Sequence, residues 1–441
     1  MSRAIGSKES PSTPFPKTNK APSRPKFGTR QALFSIFFLS GFLYAAWIVR
    51  TPAIRDGLGL TLGEMGWVLF GLSAGAMIGL LFTAKLVNAY GPQRMIALGT
   101  LVTIIGLLAA ALPLLIALPV PGAFAAWFGL ALVGLGSIFL DISVNVAGAA
   151  LEASEKRPFL TTLHGGFSFG EAVGAFFGFG CVAVGLDPMT HFAAACVLML
   201  PLIVLSFKPL DEADKLLKRL AAAKTQEASA SADASAGSGT ASNSSLKAPK
   251  KKLRIDALLA TAVAVVFSVA LCEGTANDWL PILLGETLGA SGSFSAFAFA
   301  LFASGLAAVR FTGVYWLGRF GRMRVLCGSA VMALLGLLIV ILIKIPAFVI
   351  AGVVLWSAGT ALGYPVALSA GAASGGANAA GSSAERMSVL STAGYGAFLV
   401  GPPLLGFIAD HFGLPFALGF AALFLAFPIA FAKRLTAKTD D

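Results

Sequence analysis

VNAYGPQRMI, residues 87–96, and LGRFGRMRVL, residues 317–326, each follow a long apolar stretch and combine glycine with basic residues. A second pair of similar segments has nearly the same separation: GGFSFGEAVGAFFG at 165–178 and AGYGAFLVGPPLLG at 393–406. An offset of about 225–230 residues divides the chain into two similar halves. Paired halves of six spanning helices are typical of transporters, in which the binding site lies near the membrane midplane between the halves.

The composition places the chain in a membrane. Of its 441 residues, 57% are hydrophobic and 12% are charged, whereas soluble domains carry about 25% charged residues. The mean hydropathy is +0.83. The net charge of +11 lies in tails and loops, as the positive-inside rule predicts for an inner-membrane protein, so nucleic acid is not an expected partner.

Apolar runs broken by charge, Gly and Pro predict about twelve spanning helices. They lie near residues 32–53, 63–87, 95–117, 122–150, 161–186, 189–207, 256–284, 292–317, 324–344, 347–372, 388–409 and 413–433. The expected fold is all-α, with six-helix bundles at residues 31–208 and 254–434. Residues 209–253 contain an Ala/Ser/Gly-rich tract and are predicted to form a flexible linker. Residues 1–30 and 435–441 are predicted to be tails, the first of them disordered and basic.

Lys and Arg residues give the predicted orientation. They concentrate in both tails, in the linker and in GRFGRMR at 318–324, while the alternate loops hold few beyond Arg55 and Lys344. Both termini and the linker are therefore predicted to be cytoplasmic. Residues 1–30 are rich in Ser, Pro and Lys and do not form a signal peptide, so the first apolar run is expected to remain as a membrane anchor.

The chain resembles the major facilitator superfamily across residues 30–434. The loop after the second helix commonly reads G-x-x-x-D-R-x-G-R-K/R in that family. AKLVNAYGPQR keeps Gly91 and Arg94 but has Asn88 where Asp is usual. The second copy, VYWLGRFGRMR, keeps Arg319, Gly321, Arg322 and Arg324.

Three further segments, WIVRTPAI, EGTANDW and GFSFGE, resemble a bacterial branch near the fucose-permease-type sugar symporters. The resemblance implies two six-helix bundles, alternating access, and a cavity lined by the first, fourth, seventh and tenth helices. Proton-driven drug antiporters of the superfamily carry Pro after the second Gly of the fifth-helix motif, where this chain has Glu171. That departure argues against drug export.

Acidic and polar residues recur on one face of the fourth and fifth predicted helices. Asp141 and Asn145 lie one turn apart in the fourth helix, and His164 and Glu171 share a face of the fifth. At about 1.5 Å per residue, Asp141 and Glu171 lie at similar depth. A charge at the bilayer centre costs about 2.5–3.5 kcal/mol on insertion scales, so both are candidates for proton coupling. Hydrogen bonding that ties the two helices together is the structural alternative.

Arg310 lies near the cytoplasmic end of the eighth predicted helix. The resemblance places the fifth and eighth helices in contact across the two halves. The hypothesis is that Arg310 pairs with Glu171 or Asp141 and closes the cytoplasmic side in one state. The alternative is that Arg310 extends to the interface as part of the loop cluster.

LCEGTANDWLP, residues 271–281, places carboxylates in the outer half of the seventh predicted helix. Glu273 and Asn277 share one face, and Glu273 is the third candidate for proton coupling. Gly274 and Pro281 are expected to weaken this helix, because neither is a good helix former. Weakened helices in transporters are tolerated where they line a cavity.

Arg50, at the outer end of the first helix, is the predicted partner of this carboxylate cluster, and Arg50, Arg310 and Asp278 are the predicted gating charges. The indole rings of Trp47 and Trp279 are candidates for stacking on a solute. The alternative for Trp279 is that it belongs to an interfacial aromatic belt. The predicted cavity side chains are Trp47, Asn145, His164, Asn277, Trp279, Tyr364 and Tyr395.

These patterns predict a secondary active transporter in a bacterial inner membrane, with proton-coupled uptake of a small polar solute such as a sugar or polyol. The alternatives are an antiport exporter of amphipathic compounds and a non-transporting sensor or scaffold. The chain carries no enzyme motif, and its four cysteines share no metal-ligand spacing. The expected partners are a solute and the bilayer, with the proton as coupling ion, no other cofactor, no metal and a monomeric state.

Overall fold

The computed structural model describes residues 28–155, 159–236, 256–373 and 382–436. Its regular elements over these ranges are helical. The helices are α1 (Thr29–Ile48), α2 (Thr51–Leu58), α3 (Leu62–Tyr90), α4 (Pro92–Ala111), α5 (Gly122–Glu155), α6 (Leu160–Ala183), α7 (Pro188–Ala236), α8 (Ala257–Leu288), α9 (Gly292–Phe311), α10 (Gly313–Leu342), α11 (Pro346–Thr360), α12 (Gly363–Ala373), α13 (Ser383–Phe412), α14 (Leu414–Leu423) and α15 (Ala426–Thr436).

The described helices provide twelve candidate membrane crossings, in agreement with the prediction of about twelve. Eleven helical stretches are long and apolar enough to cross a membrane, and the longest of them is Gly292–Leu342, with 51 residues. At about 1.5 Å per residue it is more than twice as long as the ~30 Å hydrocarbon core is thick. Gly321 interrupts this stretch with φ 75° and ψ 162°. The chain turns back there, so the stretch forms two crossings.

Backbone glycines repeat between the halves. Gly91 joins α3 to α4 with φ 85° and ψ 154°, close to the values at Gly321 about 230 residues later. Gly185 and Gly413 are a second pair at nearly the same offset, with φ 77° and 82°. These positive values favour glycine, because a Cβ would be strained there. The repeat seen in the sequence therefore also occurs in the turns.

Two stretches differ from expectation. The seventh crossing, α8, is continuous from Ala257 to Leu288 although it contains Gly274 and Pro281. The ring of Phe398 packs on Gly274, at 2.9 Å from the position that a Cβ would occupy. Helix α7 continues to Ala236, beyond the predicted start of the flexible linker at 209, because residues 209–236 are rich in the good helix formers Ala, Leu and Lys.

The rest of the predicted linker, residues 237–253, lies outside the described residues, as do residues 1–27 of the predicted N-terminal tail and 437–441 of the C-terminal one. The boundaries of the two bundles stay predictions.

Small residues let the helices approach one another closely. Gly75 of α3 lies against the backbone of Ala131 in α5, and Gly170 of α6 lies against the backbone of Phe38 in α1. Such contacts are typical of membrane helices, where close van der Waals packing drives association. The half formed by α1–α7 meets the half formed by α8–α15 mainly along two pairs of helices, α6 with α9 and α3 with α13.

Candidate transport site

Arg310 of α9 lies where the two halves meet. Its Nη2 forms a salt bridge of 2.8 Å with Oε1 of Glu273 in α8, and its Nη1 donates to Oγ of Ser168 in α6 at 3.1 Å. Its Nε donates to the carbonyl oxygen of Ala361 at 3.3 Å, where the chain bends between α11 and α12. Arg310 therefore links both halves, and its partner is Glu273 rather than the predicted Glu171 or Asp141.

Glu171 lies one turn after Ser168 on α6, and its side chain is buried, with 3% of the residue exposed. It interacts electrostatically with Arg310 and Glu273. Among the described residues its carboxylate has no hydrogen-bond partner. An ionised carboxylate in this position needs a counter-charge or a proton, because an uncompensated charge is costly within a membrane.

Tyr44 of α1 joins this cluster, although the sequence analysis did not select it. Its hydroxyl lies close to the side chain of Asn277 and within electrostatic reach of Asp278, Glu171 and Glu273. Asn277 is 7% exposed, and its Oδ1 has no partner among the described residues. The only signal for Tyr44 in the sequence is a hydroxyl on an otherwise Phe-rich helix.

A second group of polar residues surrounds Asp141. Asn145 donates from Nδ2 to Oδ1 of Asp141 at 3.1 Å, one turn along the same helix. Asp141 interacts electrostatically with His164 of α6, and with Tyr364 of α12 and Tyr395 of α13 across the interface. The structure thus brings these five predicted residues together. The hydrogen bond of Asp141 stays within α5 and does not tie α5 to α6.

Arg50 and the two tryptophans lie outside this cluster. Arg50 is 4% exposed, and its Nε donates to Nδ1 of His191 at 3.0 Å rather than to the predicted carboxylates of α8. Trp47 is buried and packs on Phe192 of α7, with ring centroids 6.4 Å apart. Trp279 is also fully buried. The residues that precede the bend between α1 and α2 therefore pack within the first half.

Polar contacts close the end of the molecule that holds the bend between α1 and α2, called here the α2 end. Nη1 of Arg55 is 2.5 Å from Oε1 of Glu286, and Oγ1 of Thr61 donates to Oδ2 of Asp410 at 3.2 Å. Both contacts join the two halves. The other end, called the terminal end, carries the loop residues predicted from the family motif: Asn88, Arg94 and Arg319 are exposed, and Gly91, Gly321 and Arg322 are half-buried.

A salt bridge within the second half was also missed. Arg386 of α13 is 1% exposed, and its Nη1 lies 3.1 Å from Oδ2 of Asp256. Asp256 caps α8 by accepting from the backbone N–H of Leu259. The hydrogen bond from the Leu259 backbone lowers the pKa of the Asp256 carboxyl below its ordinary value, and Arg386 makes a smaller contribution in the same direction. The sequence places these residues 130 positions apart and gives no sign of their contact.

The described residues contain no group of three or more His, Cys, Asp or Glu side chains arranged to hold a metal ion. The side chains brought together at the site are carboxylates, a guanidinium, an imidazole, phenols and amides. These groups bind protons and polar or charged solutes.

Relatives in sequence are transporters and membrane proteins. An uncharacterized transporter of the major facilitator type from Yersinia pestis is 27% identical over 91% of this chain and 94% of its own length. An uncharacterized transporter of Sinorhizobium fredii is 26% identical over 90% of this chain and 96% of its own. The membrane protein MosC of Rhizobium meliloti is 24% identical over 87% and 84%.

Solved structures share the fold. The xylose transporter XylE from E. coli, in a partially occluded inward-open conformation, gives a TM-score of 0.66 at 12% identity and covers 94% of this chain and 100% of its own. The E. coli fucose–proton symporter FucP gives 0.51 at 17% identity, over 92% and 98%. The sequence model of the Major Facilitator Superfamily matches residues 32–384. The chain belongs to this superfamily of transporters and is not an enzyme.

Proposed function

We propose that this transporter takes up a small polar solute of the sugar or polyol type together with protons, by alternating access. It acts in the bacterial inner membrane with both termini in the cytoplasm. The observation that carries the proposal is Glu171, which is buried and without a hydrogen bond among the described residues, beside the Arg310–Glu273 pair where the halves meet.

The contacts at the α2 end support alternating access. Arg55–Glu286 and Thr61–Asp410 join the halves there. With the termini in the cytoplasm, the α2 end is the outer side, so this arrangement corresponds to the inward-facing state. Uptake then requires the reverse state, in which these contacts separate and the halves rock about the central cluster.

The proton site follows from the spacing on α6. Ser168 and Glu171 are separated by about one helical turn, and a one-turn shift of packed helices is a recognised kind of switching motion. Sliding α6 along α9 would exchange Ser168 for Glu171 opposite Arg310. In the present arrangement Glu171 lacks that partner and is the residue that holds the proton. Its deprotonation would favour the state in which it pairs with Arg310.

The polar groups around the cluster support a hydroxyl-bearing solute. Tyr44, Tyr364, Tyr395 and Asn145 offer donors and acceptors of the kind that orient such solutes. Solved proteins of the same fold include a D-xylose–proton symporter and a fucose–proton symporter. Both couple a sugar to the proton, as proposed here for this chain.

The proposal is tested in proteoliposomes that contain the full-length protein and a pH-sensitive dye. Sugars, polyols, organic acids and cationic dyes are screened for solute-driven proton entry. Glu171→Gln is expected to exchange solute across the membrane without moving protons. Asp56→Asn is the matched control, because this carboxylate lies outside the cluster and its side chain is 73% exposed.

If the wild type moves solute without protons and Glu171→Gln exchanges solute at the same rate, proton coupling at this residue is contradicted. The transporter assignment is not affected by that result. Proton exit driven by solute entry would instead identify an antiporter.

A further inference from the structure

The groups facing the central cluster are predominantly acidic. Glu171, Glu273 and Asp278 all lie within electrostatic reach of the Tyr44 hydroxyl, and the nearby guanidinium is that of Arg310. Glu273 already neutralises Arg310 through the 2.8 Å salt bridge. The remaining carboxylates therefore lack a fixed counter-charge in this part of the described chain.

The second group of polar residues, around Asp141, is also acidic. Asp141 contacts an amide and interacts with His164, which is exposed. Even with His164 protonated, the acidic side chains of these two groups outnumber the basic ones. Protons neutralise these groups when they bind, and a cationic solute would neutralise one of them in the same way. An anionic solute would add to the repulsion.

An unsatisfied acceptor marks where a cation would bind. Asn277 is 93% buried, since 7% of it is exposed, and its Oδ1 has no donor among the described residues. It lies one turn after Glu273 on the face of α8 that points to Arg310, and its side chain lies close to the Tyr44 hydroxyl. Asp278, the next residue, makes no hydrogen bond or salt bridge within the described residues.

We propose that Asp278, Asn277 and Tyr44 bind the ammonium group of a small hydroxylated cation, an amino sugar or amino polyol. This assignment rests on the proposed uptake of a sugar-like solute and narrows its chemistry. An ammonium group has three donors and no acceptor. It would supply the donor that Asn277 Oδ1 lacks and the charge that Asp278 lacks. Glu171 remains the proton site.

The sugar ring fits the same arrangement. The ammonium group binds between α1 and α8, and the hydroxyls extend toward Tyr364 of α12 and Tyr395 of α13. Charge-assisted hydrogen bonds are roughly twice as strong as neutral ones, so the amine rather than the hydroxyls sets selectivity. A neutral sugar of the same shape would bind without satisfying Asp278.

The test measures binding of four probes that share one ring to the purified full-length protein, by solute-dependent thermal stabilisation at pH 6. The probes are D-glucosamine, D-glucose, N-acetyl-D-glucosamine and D-glucuronate. We expect half-saturation by D-glucosamine at a concentration at least about tenfold lower than by D-glucose. Asp278→Asn is expected to reduce this preference to less than about threefold. Asn277→Ala is the second variant and Asp56→Asn the control.

The outcomes separate the two proposals. If D-glucose or N-acetyl-D-glucosamine binds as tightly as D-glucosamine, the cation assignment is overturned. The proposed uptake of a sugar is not affected by that result. An amine preference that persists in both Asp278→Asn and Asn277→Ala overturns the assigned site. Binding of D-glucuronate alone, or of none of the four, overturns both the cation assignment and the sugar-like solute.

Discussion

Gly66 of α3 offers the sharpest test of how the halves close at the α2 end. It lies against α13 of the other half: a Cβ on Gly66 would be 2.6 Å from the carbonyl oxygen of Pro402 and 3.2 Å from Cα of Gly406. Both of these neighbours are backbone atoms of a continuous helix, so neither can rotate away as a flexible side chain would. Gly66→Ala is therefore expected to push the two helices apart.

The expected magnitude follows from overpacking. Inserting a methyl group into a tightly packed contact typically costs about 1–3 kcal/mol. Only the state closed at the α2 end bears this cost, because opening separates α3 from α13. Ala also improves helix propensity by about 1 kcal/mol over Gly, but this gain is the same in both states and does not shift the equilibrium. The ratio of closed to open molecules should fall by about 5–150-fold.

The assay measures a distance between the halves. Spin labels are attached to cysteines introduced at Asp56 and Lys344, which are exposed at the α2 end on opposite halves. Cys327, which is half-buried, is replaced by Ala, while the other three cysteines are buried. Electron paramagnetic resonance should show a longer distance in Gly66→Ala than in the parent protein.

The matched control is Gly396→Ala. Gly396 lies on α13, the same helix that Gly66 touches, but a Cβ there would have no heavy atom within 4 Å. Its distance distribution should match that of the parent. An unchanged distribution in Gly66→Ala would refute the inference that this contact limits closure, and an equal shift in both variants would attribute the effect to α13 itself.

Three other substitutions have defined outcomes. Arg310→Gln leaves Glu273 unpaired and should lower the free energy of unfolding, measured by chemical denaturation, by about 3 kcal/mol. The double variant Arg310→Gln/Glu273→Gln should recover part of this loss, because it no longer contains the unpaired carboxylate. Tyr44→Phe removes the hydroxyl that lies close to Asn277. If this hydroxyl contacts the solute with a hydrogen bond worth about 1 kcal/mol, the solute concentration for half-maximal transport should rise roughly fivefold, whereas Tyr90→Phe, at an exposed position, should not change it. Asp256→Asn should lower thermal stability at neutral pH. Because the folded-state pKa of Asp256 is lowered, its contribution is present above about pH 4 and should vanish as the pH falls below that value.

The number and order of the crossings could be predicted because apolar length and charge in loops are local properties of the sequence. The turn at Gly321 illustrates this, since its glycine and flanking arginines are visible in LGRFGRMRVL and match Gly91. The end of α7 could not be predicted in the same way. Its low-complexity composition predicts a flexible segment, whereas the residues up to Ala236 include many good helix formers and are helical. Composition and helix propensity therefore give opposite predictions for this stretch.

The contact partners of the site residues were harder to predict from the sequence than the depth of each residue along its helix. Residue counting places a side chain along a helix axis but does not give the direction in which that helix faces its neighbours. Arg50 was predicted to meet carboxylates of α8 because both lie at the outer side, but it faces inward to His191 of α7. The pairing of Asp256 with Arg386 required knowing that α8 and α13 begin side by side.

The pairing of Arg310 with Glu273 changes what can switch during transport. Both residues belong to the second half, so a rigid rocking of one half against the other does not separate them. Ser168 and Glu171 belong to the first half and move past Arg310 together. The bond that must break when the halves rock is therefore Arg310 to Ser168, and the charge that can take its place is Glu171, one turn further along α6. Arg310 can keep Glu273 throughout and still respond to the proton on Glu171, because a guanidinium has donors for both.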